Sequence, residues 1–279
     1  MTKKELEYMA MDAHFRSTGC YYDHNHMIYM KTNENLIDLF RFYPVKNKDV
    51  LTVLASSDQL LFSYYYGAKS IDAFDKVYLT LAYYYLRKWV ILYQNSLYPS
   101  ISFFNEVDKN LYYLICSIQP TNTDERDAII FWKSYLELND YKTDKYLFYL
   151  SFFPQNNPFK CDDVKDVFQK KLHFTCANFF HDFPSSKKYD VIILSNLLEY
   201  ANNSQQLIVA MNNIESLLND DGIAVCSCLR YPKKSYNHQR EVETMTSHLL
   251  KIDYNAYQYY YQPIGGYVDL AYSYQLKKK

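Results

Sequence analysis

The sequence predicts an α/β protein. The expected fold is a Rossmann-like, seven-stranded, mostly parallel sheet with a C-terminal antiparallel hairpin, plus a helical insertion and an N-terminal helical segment. Three observations predict it. The apolar, β-rich runs "VLTVLA" (Val50 to Ala55) and "YDVIILS" (Tyr189 to Ser195) read as strands buried on both faces. Helix-like segments alternate with such runs, the pattern of a parallel sheet. The final "YNAYQYYYQPIGGYVDLAYSYQL" holds two β-rich runs about a turn at Pro263 to Gly266, hence a hairpin.

The elements follow in order. Residues 3 to 43 read as mainly helical, with Leu36, Ile37, Leu39, Phe40 and Tyr43 at helix-compatible spacing in "ENLIDLFRFY". The stretch "TGCYYDHNHMIYMKTN" before it reads as an ordered loop. After "VLTVLA", Ser56, Ser57 and Asp58 are N-cap candidates for a helix starting near Gln59. "GAKSIDAFD" gives a glycine turn and a short strand ending at Asp75. "VYLTLAYYYLRKWVILY" is a long helix. From about Pro99 to Lys171 no strand rhythm is evident, and Asp124 and Glu125 suit the positive start of a helix there. That length exceeds an ordinary αβ connection and predicts an inserted helical segment. "LHFTCANFF" resumes the α/β pattern. An amphipathic helix "NSQQLIVAMNNIESLL", a turn "NDDG" and a strand "IAVCSCL" come later. The expected domains are an N-terminal helical cap over 1–49, a Rossmann-like domain over 50–98 and 172–279, and the insertion over 99–171. Cap and insertion are expected to cover the carboxyl edge of the sheet.

Composition narrows the function classes. The chain has 279 residues, 30 basic and 31 acidic, for a formal net charge of −1. A general nucleic-acid binder would show a basic excess, so none is expected as a partner. The 32 Tyr and 17 Phe set against 5 Gly are a global bias, so single tyrosines carry little meaning. "SYYYG" and "AYYYLRKW" are better explained by core packing than by base stacking. Six cysteines without a CxxC read as buried free thiols. The N-terminus shows no secretory pattern and no run reaches transmembrane length, so a cytoplasmic protein is expected.

The chemistry concentrates at strand ends. The turn "LASSDQ" leads from a strand into a helix, whose first N–H groups and positive dipole end favour an anion. Ser56 and Ser57 are small enough for close approach, although they take φ > 0 less readily than glycine. Leu54 stands where a glycine is usual and must turn its side chain into the core. Asp75 lies nineteen residues after Ser56 at a strand tip, where an acid accepts both ribose hydroxyls; Asp72 falls inside the strand. "LSNLLEY" sets Ser195 and Asn196 at the carboxyl end of the central strand, with Glu199 and Tyr200 within one helical turn.

On "VLTVLASSDQLLF", "GAKSIDAFDK", "FWKSYL" and "YDVIILSNLLEY", the chain resembles the class I S-adenosylmethionine-dependent methyltransferase superfamily. Within it, it is most similar to a poorly characterised group related to the aminocarboxypropyl transferases of betaine-lipid headgroups. The likeness runs from Val50 to Leu229. It implies S-adenosylmethionine as cofactor and a small-molecule or lipid-like acceptor. It implies that Ser56, Ser57 and Asp58 meet the methionine end, with Asp58 accepting from the ammonium group. It also implies Asp75 and Lys76 at the ribose, Asn178 and Phe179 at the adenine, and Ser195 nearby. Asn196 and Glu199 would serve catalysis, and Tyr21, Tyr22 and Tyr200 the acceptor.

Two rivals remain. The missing glycines also fit a decayed site in a binding or scaffolding module. His24 and His26 in "DHNH" lie two apart, but no third ligand is visible, so a loop or lid is the better reading and no metal is expected.

Overall fold

The computed structural model describes residues 1–16, 27–29, 32, 34, 36–97, 109–141, 159–228, 250–253, 258–261 and 269–278. They form two compact units. One comprises Met1–Thr32, Ala55–Asp58 and Val77–Lys171; the other comprises Asn33–Leu54, Gln59–Lys76 and Leu172–Lys279.

The second unit is built on one sheet. Its strands are β3 (Asp49–Val53), β4 (Ser70–Asp75), β5 (His173–Cys176), β6 (Tyr189–Ser195), β7 (Leu218–Cys228), β8 (Leu250–Asp253), β9 (Gln258–Tyr261) and β10 (Asp269–Lys278). Their order is β5-β4-β3-β6-β7-β10-β8, with β9 also on β10. The pairs from β5 through β7 are parallel, and β10 runs antiparallel to β7, β8 and β9. β8 pairs Gln275 to Lys278 and β9 pairs Asp269 to Tyr272. Both lie on the side of β10 that β7 leaves open. They share one lane, so eight strands fill the seven positions expected. The hairpin of β9 and β10 is present; its turn at 263–266 lies outside the described residues.

Sequence dictates the central strands directly. Val50, Leu51, Thr52 and Val53 are all buried, as are Val191 to Leu194. A strand covered on both faces has no polar alternation. α3 (Asp58–Tyr65) ends at Gly67, whose φ of 88° is the left-handed stop that glycine supplies. α2 (Leu36–Leu39) is one turn, shorter than the spacing predicted. Its apolar residues are nonetheless the core: Leu36, Leu39, Phe40 and Tyr43 are buried, and Phe40 sits 5.5 Å from the Phe62 ring of α3. "NDDG" is not a separate turn. Tyr189 pairs Leu218 and Val191 pairs Ile223, so the intervening residues of β7 bulge within the strand. Asp190 is structural there, accepting from the Asp49 amide at 3.0 Å and Asn219 Nδ2 at 2.8 Å. α8 (Ser204–Leu217) is capped by Asn203, which accepts from the Gln206 amide at 3.0 Å.

The first unit is mostly helical. It holds α1 (Lys3–Met11), α4 (Tyr78–Gln94), α5 (Lys109–Ser117), α6 (Thr123–Leu138) and α7 (Cys161–Gln169). It also holds a short parallel pair, β1 (His14–Arg16) with β2 (Met27–Tyr29), in a stretch expected to be helix and loop. Pairing between segments overrode a weak local helix preference. Asn122 caps α6, and Asp124 and Glu125 occupy its first turn as expected. "FWKSYL" supplies the core: Phe131, Trp132 and Leu136 are fully buried, and Trp132 Nε1 donates to the Ala82 carbonyl at 2.8 Å. Of the thiols, Cys226 is buried, whereas Cys116 and Cys176 are exposed, against the expectation of uniformly buried cysteines. No helix among the described residues is long and apolar enough to cross a membrane.

Candidate functional site

The strand order fixes where a ligand would sit. From β3 the chain moves outward to β4 and β5, then returns to β6 and moves the other way to β7. The switch point therefore lies between β3 and β6, and open α/β sheets bind ligands outside the carboxyl ends there.

The turn after β3 has an unusual backbone. Ala55 and Ser57 adopt φ of 41° and 67°, the left-handed region that glycine usually supplies. Leu54 turns inward as required, with 0% exposure, and its amide donates to the Phe74 carbonyl at 2.7 Å. Ser56, Ser57 and Asp58 are buried. Arg87 of α4 reaches this turn. Its guanidinium donates to the Ser56 carbonyl, to Ser57 Oγ at 3.0 Å and to Asp58 Oδ1 at 3.0 Å. The second carboxylate oxygen of Asp58 accepts from the Thr32 amide at 2.7 Å and Ser56 Oγ at 2.8 Å. The expectation that Asp58 meets a ligand ammonium therefore has a competitor in Arg87.

The other unit carries the remaining strand-end residues. Asp75 closes β4 and is nearly buried; its carbonyl accepts from the Ala177 amide at 2.9 Å. Asp72, within the strand, is bound by Lys187 Nζ at 2.9 Å and Tyr189 Oη at 2.8 Å, and Asp75 is the acid at the tip. Lys76 is exposed. Asn178 Oδ1 accepts from the Phe180 amide at 3.1 Å and shapes a tight turn. Phe179 is a core residue, 1% exposed and stacked on Phe74 at 5.1 Å. Asn213 of α8 fixes this loop, donating to the Phe179 carbonyl at 2.8 Å and the His181 carbonyl at 2.7 Å.

At the end of β6, Ser195 has φ of 53° and donates to Glu34 Oε2 at 2.8 Å. Gln59 Nε2 donates to the same oxygen at 2.8 Å. Burial pushes the Glu34 carboxyl up; hydrogen bonds from Ser227, Ser195 and Gln59 oppose this, and the Glu199 charge adds to it. Asn196 starts the 3-10 turn Leu197–Tyr200 and is half-buried; its carbonyl accepts from the Glu199 amide at 3.1 Å. Glu199 is nearly buried and Tyr200 half-buried. Tyr21, Tyr22, His24 and His26 lie outside the described residues. Among the described residues no group of three His, Cys, Asp or Glu is placed to hold a metal.

Two residues, Glu34 and Arg87, were not among those expected. Glu34 lies 161 positions from its partner Ser195, and no spacing rule joins them. Arg87 did leave a signal: a cation in a helix rich in large apolar and aromatic residues, where a cation is buried only if paired.

The fold and switch point define a Rossmann-like α/β protein. Solved structures with some likeness include methyltransferases, at low scores. The N-methyltransferase NodS of Bradyrhizobium japonicum WM9, in complex with S-adenosyl-L-homocysteine, is 10% identical with a TM-score of 0.44, covering 88% of this chain and 85% of that one. A TehB-like SAM-dependent methyltransferase of Corynebacterium glutamicum is 12% identical with a TM-score of 0.41, over 88% and 87%. The ribosomal protein L11 methylase of Lactobacillus delbrueckii subsp. bulgaricus is 12% identical with a TM-score of 0.39, over 88% and 76%. At these scores the likeness bears on neither activity nor acceptor. No family model matches the sequence, and no curated protein matches it.

Proposed function

We propose that this chain is an S-adenosylmethionine-dependent transferase, most simply a methyltransferase, acting on a small-molecule or lipid-like acceptor. One observation carries the reading: the turn after β3 keeps left-handed geometry at Ala55 and Ser57 although neither is glycine. Such strain persists where the surroundings enforce it, commonly at ligand sites. The residues present suit the cofactor. The turn opens α3, whose first amides suit a carboxylate. Asp75 stands at the β4 tip, which supports the expected contact with the ribose hydroxyls.

The cofactor supplies an activated sulfonium carbon. The chain then has to orient the acceptor and exclude water. Asn196 and Glu199 follow the switch-point strand and are assigned to hold the acceptor's nucleophile, with Glu199 or Glu34 taking its proton. Few acid–base groups are needed for such a transfer. Transfer of an aminocarboxypropyl group would use the same cofactor through another carbon; the sequence resemblance alone favours it.

Calorimetric titration with S-adenosyl-L-homocysteine tests the reading, followed by label transfer from methyl- and carboxyl-labelled donor to amines, phenols and lipid headgroups. Binding with methyl-label transfer is expected. Absence of binding at millimolar ligand sinks the proposal.

A further inference from the structure

We infer that Arg87 does for this turn what glycine does in other nucleotide-binding turns: it holds the Ala55–Asp58 backbone in the left-handed shape that a ligand needs. The binding half of this inference rests on the proposed transferase; the conformational half does not.

Three observations converge. Ala55 and Ser57 lie at φ of 41° and 67°. Each such residue disfavours its own conformation by roughly tenfold relative to the ordinary regions. Something must hold the turn against that preference. Arg87 is the side chain placed to do so, since its guanidinium bonds three consecutive residues: the Ser56 carbonyl, Ser57 Oγ and Asp58 Oδ1. The Ser56 carbonyl belongs to the peptide plane that precedes Ser57. Fixing that plane fixes the φ of Ser57 from one side.

The choice of arginine has a reason. Its planar fork offers several donors in a rigid array, whereas lysine offers one flexible ammonium. The anchor is firm at both ends. Arg87 lies within the seventeen-residue α4 and is 0% exposed. Asp58 is held by the Thr32 amide and Ser56 Oγ on its other oxygen. The geometry is that of a clamp on the turn, so Arg87 is a positioning residue.

A double-mutant cycle in urea separates a clamp from ordinary packing. Ala55→Gly removes no hydrogen-bonding side chain and relieves a left-handed residue. In the wild type it should leave stability unchanged or raise it. In Arg87→Lys the turn is free to relax, so Ala55→Gly should instead destabilise through chain entropy. The two effects on the unfolding constant should differ by about fivefold or more. Equal effects in the two backgrounds overturn the clamp. If Arg87→Lys does not fold, the Arg87→Met/Asp58→Asn pair replaces it, since both buried charges then leave together.

Binding supplies the second readout. Arg87→Lys should weaken S-adenosyl-L-homocysteine at least tenfold by calorimetry. Adding Ala55→Gly and Ser57→Gly should restore most of that loss, because glycine adopts the shape unaided. Loss that glycine does not restore overturns the positioning role. If the wild type itself binds none, the transferase reading fails, and the urea cycle alone decides the clamp.

Discussion

Arg87 and Asp58 form an ion pair at 3.0 Å with side chains 0% and 1% exposed. Removing one partner leaves the other charged and out of water, a loss of about 3–5 kcal/mol. Asp58→Ala should therefore lower the urea midpoint sharply. Arg87→Met/Asp58→Asn should recover much of the loss, because no lone charge remains. Equal destabilisation by the single and double variants would show that the pair itself is not the cause.

Glu125 predicts the acid limb of stability. Burial raises its pKa, but hydrogen bonds from Thr121, Trp89 and Lys88 outweigh that and bring it to about 2, below the ordinary 4.5. Thr121 Oγ1 donates at 2.6 Å, Trp89 Nε1 at 2.9 Å and Lys88 Nζ at 3.0 Å. A depressed folded value stabilises the protein fully above the unfolded value. That contribution is lost as pH falls from 4.5 towards 2. Glu125→Gln should cost about 1.5–3 kcal/mol at pH 7. It should also flatten the slope of stability over that acid window, measured by urea unfolding at several pH values.

Glu34 should act in the opposite sense. Its folded pKa is raised, first by burial. The native state therefore holds the proton longer, and stability is fully present below the unfolded value and lost as pH rises through the folded one. Glu34→Gln should abolish that loss while lowering transfer activity. An unchanged pH–stability profile would remove Glu34 from the buried acids that matter.

Asp75→Ala should weaken S-adenosyl-L-homocysteine by about 1.5–3 kcal/mol, the scale of hydrogen bonds to a charged group. The Asp75 backbone contact to Ala177 survives in the variant, and a urea midpoint measured alongside separates loss of binding from loss of folding. Unchanged affinity in the folded variant excludes Asp75 from the ribose.

Phe179 separates packing from recognition. Its ring meets Phe74 at 5.1 Å and Phe183 at 5.4 Å, and those two rings meet each other at 5.2 Å. Phe179→Ala should cost about 3–5 kcal/mol of stability, as a buried aromatic does. Phe179→Leu should keep most stability and leave ligand affinity within a factor of a few. A large affinity loss in Phe179→Leu would return the ring to the adenine site.

The sequence by itself determined the sheet. Val50 to Val53 and Val191 to Leu194 are apolar at every position because both faces are covered, and that pattern survives without knowledge of partners. It also marked the switch-point turn and the acid at the β4 tip, because both obey local spacing. Tertiary structure decided the rest. It shortened the helix at Leu36 to one turn and paired β1 with β2, where contacts outweighed local preference. It brought Glu34 to Ser195 across 161 residues, a meeting that no periodicity encodes. It also set Arg87 against a turn thirty residues earlier, at Ser57. Hydrogen bonds between distant side chains depend on the folded path of the chain. A turn that reads as lacking its glycines in sequence therefore takes the glycine conformation in the fold.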